Sequence, residues 1–122
     1  MEITLKNLLT FLPLEKELRE RLLSRLGSFS KDQLLALTKV CWQTFYQLVE
    51  DRAQEEMVKF LNGVAEGKAE LRTAVYQEIE KKFYQEFMEK LRRGEELMVL
   101  SDVRQKIQQS FQSSFDKGRI QG

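Results

Sequence analysis

The stretches LLALTKVCWQTFYQLVEDRAQEEMVKFL (34–61) and LRTAVYQEIEKKFYQEFMEKL (71–91) decide the fold class. In the second, Leu71, Val75, Ile79, Phe83, Phe87 and Leu91 recur every four residues. That step holds them near one side of an α-helix while drifting about 40° each time. Ala74, Tyr84 and Met88 widen the stripe as it turns. In the first stretch Leu34, Leu37, Cys41, Phe45, Leu48, Ala53, Met57 and Phe60 make the matching series, broadened by Leu35, Val40, Trp42, Val49 and Leu61. A helix with one apolar face must bury it against another element. The expectation is an all-α fold, a small helical bundle of four to five helices built around a long antiparallel αα-hairpin. The long helices are expected over about residues 31–61 and 68–93, joined through Asn62, Gly63 and Gly67. One helix kinked at Gly63 fits the same residues. In a hairpin, Phe45 and Phe83 fall in the same layer.

Outside the stripes, local signals set the helix ends. Ser30 and Gln33 have the spacing of a capping box, with Phe29 and Leu34 at the positions of a hydrophobic staple. Thr4 caps a first short helix of about residues 4–12 that places Leu5, Leu8, Leu9 and Leu12 on one face. Pro13 breaks it and suits the first turn of a second, about residues 14–26, carrying Leu14, Leu18, Leu22, Leu23 and Leu26. Gly27 is placed to stop that helix in a left-handed conformation. Arg92, Arg93 and Gly94 end the second long helix. Leu97, Met98, Val99 and Leu100 read as buried. Ser101 caps a C-terminal helix of about residues 102–116. Val103, Ile107 and Phe111 face inward there, with Phe115 near the end and Gln105, Gln108, Gln109 and Gln112 on the polar side. Residues 117–122 read as a frayed tail, with Gly118 as terminator.

Size and composition bound the rest. The 122 residues make one domain's worth of chain, 1–122, with 42% hydrophobic and 32% charged residues, which argues against disorder. Lys and Arg at 20 against Asp and Glu at 19 give a net charge of +1, so no globally basic nucleic-acid binder is indicated. With one cysteine, Cys41, no intrachain disulfide forms, and a reducing compartment, by default the cytoplasm, is the expected location. No apolar run is long enough to span a bilayer, and no signal-peptide pattern opens the chain.

Chemical motifs are scarce. The chain has no histidine, the commonest proton shuttle and metal ligand. Its glycines match no phosphate-binding loop or dinucleotide fingerprint. Glu50/Asp51, Glu55/Glu56 and Glu95/Glu96 are paired carboxylates, but a helical di-metal site also needs histidines. They read as solvated surface with pairs such as Glu55 to Lys59, Glu78 to Lys82 and Glu86 to Lys90. Cys41, between Val40 and Trp42, reads as core packing. No cofactor, small-molecule substrate or enzymatic activity is expected.

Two sets of residues remain as candidates. Trp42, Tyr46, Tyr76 and Tyr84 are candidate partner-binding anchors, since exposed Trp and Tyr often carry interfaces; packing at the core boundary is the plainer alternative. Lys82, Lys90, Arg93, Arg104 and Lys106 are candidate phosphate contacts, although Glu78, Glu86 and Glu89 interrupt them. From residue 101 onward four basic residues (Arg104, Lys106, Lys117, Arg119) face two acidic ones (Asp102, Asp116), a local net of +2. The functional expectation is a non-enzymatic helical protein–protein interaction or structural module that binds another protein or itself. The alternative is a nucleic-acid-binding protein using the second long helix and the C-terminal helix.

Overall fold

A computed structural model describes residues 3–99 and 101–119, with side chains as far as residue 113 in the last helix. It is an all-α fold of five helices, with no strand among the described residues. They are α1 (Leu5–Phe11), α2 (Lys16–Arg25), α3 (Lys31–Ala65), α4 (Val75–Arg92) and α5 (Ser101–Arg119), with a 3₁₀ turn at Leu26–Ser28. The chain divides into two compact units, Met1–Phe45 with Lys90–Gly122, and Tyr46–Glu89. Leu100, residues 120–122 and the side chains of Phe115, Lys117 and Arg119 lie outside the described residues.

The first unit is organised by a corner at Pro13. Thr4 caps α1 as expected, its hydroxyl accepting from the Asn7 amide at 3.2 Å. The helix ends at Phe11 because the residue before a proline is pushed out of the helical region, and Leu12 is extended at φ −64°, ψ 137°. Pro13 does not open α2, whose N-cap is Glu15. Instead the Leu14 amide donates to the Leu12 carbonyl at 2.8 Å, closing a tight turn around the proline. Leu9, Phe11, Leu12 and Leu14 are all 0% exposed, so water cannot reach their carbonyls.

Arg19 supplies donors to three of these carbonyls, those of Leu9 and Leu14 having no other among the described residues. Its guanidinium donates to the carbonyls of Leu9 at 3.0 Å, Leu12 at 2.8 Å and Leu14 at 3.3 Å. It also holds the Glu96 carboxylate at 3.0 Å, which Arg104 meets at 3.5 Å. The Leu97 amide donates to the Phe11 carbonyl at 2.9 Å. From α5, the Gln108 side-chain carbonyl accepts the Glu15 amide at 2.6 Å, and Phe111 is 1% exposed. Gln108, expected on the solvent face, therefore ties α5 to the start of α2. Leu8, Leu22, Leu37, Val40, Cys41, Phe45, Leu91 and Leu97 complete this core. Within it Phe45 lies 5.6 Å from Phe11 and 5.4 Å from Trp42, ring to ring.

The long-helix caps follow known chemistry. At the start of α3 the Ser30 amide donates to Gln33 Oε1 (2.8 Å) and the Gln33 amide to Ser30 Oγ (3.1 Å), a complete capping box. At its end the Lys68 amide donates to the Gly63 carbonyl (2.8 Å) and the Gly67 amide to that of Val64 (3.0 Å), with Gly67 at φ +77°. This is a Schellman stop. The same pair of bonds, Glu95 to Lys90 and Gly94 to Leu91, ends α4 with Gly94 at φ +72°.

Several expectations are corrected. The helix does not kink or stop at Gly63 but runs 35 residues to Ala65, because the left-handed residue is Gly67. The second long helix begins at Val75 and not near 68; residues 66–74 form the connection, where Ala69 Cβ would lie 3.8 Å from a Cβ on Gly63. Leu71 consequently leaves the stripe and is 66% exposed. Gly27 takes no positive φ, since α2 tightens into the 3₁₀ turn instead. Helix α5 passes through Gly118 to Arg119. Met98 and Val103, expected inside, are exposed, as is Leu35.

Within the second unit α3 and α4 run antiparallel, and Tyr46 meets Tyr84. Leu48, Val49, Ala53, Val75, Phe83, Phe87 and Met88 are buried. The Arg52 guanidinium sits over the Phe83 ring at 4.6 Å while pairing with Glu55 and Glu56. Phe45 and Phe83 are thus both buried, Phe45 in the first unit and Phe83 in the second.

The two glycines of the turn should respond oppositely. Gly67→Ala forces a Cβ into the left-handed region and should destabilise by about 1 kcal/mol. Gly63→Ala, helical and meeting nothing closer than an ordinary contact, should stabilise by roughly 0.5–1 kcal/mol through helix propensity. Urea denaturation of both variants checks the assignment; equal effects of one sign would place the helix stop elsewhere.

Candidate functional site

Of the four aromatic candidates, two come together. Tyr46 on α3 and Tyr84 on α4 stack with ring centroids 6.0 Å apart and planes 5° from parallel. Tyr46 is 51% exposed, so the pair is a surface feature of the second unit. With Val49, Glu50, Gln77, Glu80 and Lys81 it lines an open recess of about 330 Å³. Helical spacing builds the site: Tyr46, Val49 and Glu50 are i, i+3, i+4 on α3, and Gln77, Glu80, Lys81 and Tyr84 continue that rule on α4. Glu50, Gln77, Glu80 and Lys81 were not expected there from sequence; their spacing from the tyrosines is the signal that marks them.

Electrostatics ties Tyr76 to the same place. Its hydroxyl is held above the usual tyrosine pKa by partial desolvation and then by the negative charges of Glu80 and Glu50. Tyr46 is also raised, first by desolvation and then by its hydrogen bond and charge interaction with Tyr84. Neither Glu50 nor Glu80 has a hydrogen-bond or ion-pair partner among the described residues. Trp42 belongs to the first unit, half-buried and edge-on against Phe45.

The basic candidates are spread along the chain. Lys82, in the second unit, is exposed, with its ammonium 5.3 Å from the centre of the Phe83 ring. Arg93 faces Glu95 at 3.8 Å and Arg104 faces Glu96 at 3.5 Å. Lys90 is half-buried in the last turn of α4, and Lys106 is exposed on α5. Among the described residues, no group of three or more His, Cys, Asp or Glu side chains is placed to hold a metal ion. No described helix is long and apolar enough to cross a membrane.

Cys41 is fully buried, and burial pushes its thiol up to about 12. A nucleophilic cysteine needs its thiolate, so at neutral pH this thiol is a packing group.

A second surface feature lies toward the end of α3. Ala53 is the last buried residue of that helix, although Met57, Val58, Phe60, Leu61 and Val64 follow. Helix α4 has its first residue at Val75, so it starts too late to cover the final turns of α3. Val58 is 58% exposed and Leu61 44%, and Leu71 in the connection is 66% exposed.

Comparison with protein-family models, with curated proteins and with solved structures gives no match.

The raised tyrosines set a pH dependence. A group whose folded pKa lies above its unfolded value contributes stability that is whole below the unfolded pKa. For Tyr46 and Tyr76 that contribution is intact below about pH 10, the ordinary tyrosine pKa, and is lost as the pH rises through the raised values. Phenolate absorbance should therefore develop at higher pH in the folded chain than in concentrated urea, and Tyr46→Phe should remove part of the delay. Identical folded and unfolded titrations would contradict this picture of the site.

Proposed function

We propose that this chain is a non-enzymatic helical interaction module, which binds another protein or a second copy of itself through apolar and aromatic faces of the second unit. The observation that carries the reading is the uncovered end of α3. Val58 and Leu61 are one helical step apart and both largely exposed, with Leu71 exposed in the connection that follows. A scattered exposed leucine means little, but several apolar side chains gathered on one short stretch of chain mark interaction surfaces. The stacked Tyr46–Tyr84 pair supports the same reading, since Tyr presents a large, stiff contact area with a polar tip. A cytoplasmic location goes with this proposal, resting on the single unpaired cysteine. No specific observation favours the phosphate-binding alternative, given that Arg93 and Arg104 already face carboxylates.

Val58→Glu and Leu61→Glu test the reading at positions where folding should be indifferent. Each should change stability by no more than about 0.5 kcal/mol, while weakening association by at least about tenfold, equivalent to about 1.4 kcal/mol. Sedimentation across a concentration series reads self-association, and co-purification from the native host reads a second protein. A wild-type chain that stays monomeric and captures the same proteins as both variants would overturn the proposal.

A further inference from the structure

The recess between Tyr46 and Tyr84 has a chemistry of its own, separate from the apolar end of α3. Its walls offer two near-parallel phenol rings, two carboxylates and one ammonium, a charge of −1 from Glu50, Glu80 and Lys81 together. The carboxylates lack partners among the described residues. Their charge is felt at a third tyrosine, Tyr76, whose hydroxyl is raised by desolvation and then by Glu80 and Glu50. Aromatic faces carry a negative quadrupole that attracts cations. Rings and carboxylates here therefore act in the same direction, toward a positively charged guest.

We propose that this recess receives an arginine side chain of a partner protein. Three features select arginine. The guanidinium is planar and stacks on an aromatic face, where a lysine ammonium acts as a point charge. Its fork of donors matches carboxylates on two sides, Glu50 from α3 and Glu80 from α4. The volume of about 330 Å³ lies at the small end of ligand sites, suited to one side chain and not to a folded element. Lys81, which also lines the recess, opposes a second cation and favours a single arginine over a basic run. The inference rests on the second unit being the partner-binding part of the chain, and it names the chemistry of what is bound.

The test titrates the folded full-length chain with the blocked peptide acetyl-Gly-Ser-Arg-Ser-Gly-amide, following Tyr46 and Tyr84 ring signals by NMR. The arginine peptide should give saturable shifts confined to the recess residues, weakening with salt as a screened charge contact does. A glutamine version should give none, and a lysine version should bind more weakly. The double variant Glu50→Gln/Glu80→Gln should lose about five- to tenfold in affinity, two exposed charge contacts' worth. Tyr84→Leu should lose affinity while the double variant's stacked rings remain observable, separating the two contributions. Absence of shifts with the arginine peptide, equal binding of the glutamine peptide, or full binding by the double variant overturns the inference. Loss of association in Val58→Glu with no peptide binding would leave the interaction module standing and remove only the arginine site.

Discussion

A buried carbonyl must find a donor, and at the corner around Pro13 several converge within six residues. The chain leaves α1, turns at proline and enters α2 through residues that are wholly inaccessible to water. A carbonyl left unsatisfied in such a place costs roughly 1–3 kcal/mol. Arg19 donates to three of them with one planar group, the Leu12 carbonyl also accepting the Leu14 amide, and the Leu97 amide answers a fourth. The same guanidinium fixes Glu96, and Glu96 meets Arg104 on α5. One side chain of α2 thereby links the end of α1, the segment after α4 and the C-terminal helix. Lysine could not replace it, since a single ammonium cannot meet acceptors spread in this way. The packing of Leu8, Phe11, Leu12 and Phe45 presupposes that this polar corner is closed.

The second unit obeys a different constraint, one of length. From the stacked Tyr46–Tyr84 pair α3 runs 19 residues on to Ala65 (65 − 46), while α4 reaches back only 9 to Val75 (84 − 75), about 28 Å against about 14 Å at 1.5 Å per residue. The Schellman turn at Gly67 reverses the chain, but seven further residues pass before helix resumes at Val75. Those residues cover the end of α3 incompletely, and its apolar side chains meet solvent. The candidate surface is therefore a consequence of where α4 starts. Further down the same pair, the regular i, i+3, i+4 spacing on both helices sets Tyr46 against Tyr84 and brings Glu50 and Glu80 to one recess.

What was legible in the sequence was what depends on neighbours along the chain. The capping box at Ser30 and Gln33, the Thr4 cap and the Gly94 stop each need only local geometry, and each was placed from spacing alone. The α4 stripe from Val75 to Leu91 was equally readable because a four-residue apolar repeat has one economical burial. Leu71 departs from the sequence pattern for the same reason: it fits the repeat, and no residue between Lys68 and Ala74 forbids helix. Only closure of the hairpin excludes it. Arg19 was invisible because on a helical wheel it is one more charged residue beside Glu17 and Glu20; its role arises from carbonyls exposed by a proline six residues earlier. Within the recess, the sequence marks Tyr46 and Tyr84 singly, but their stacking depends on the register between two helices, which no local signal carries.

The most direct test of this account is the stability of Arg19→Met, which keeps an unbranched apolar stem and removes all the donors of the guanidinium. Urea denaturation, followed through Trp42 in the first unit, should show a loss of about 2–4 kcal/mol, the cost of leaving the buried Leu9 and Leu14 carbonyls without a donor and of losing the Arg19–Glu96 pair. Arg19→Lys should recover only a minor part of it. A methionine variant within about 0.5 kcal/mol of the wild type, the range of an ordinary surface change, would contradict the claim that the Pro13 corner is held by Arg19.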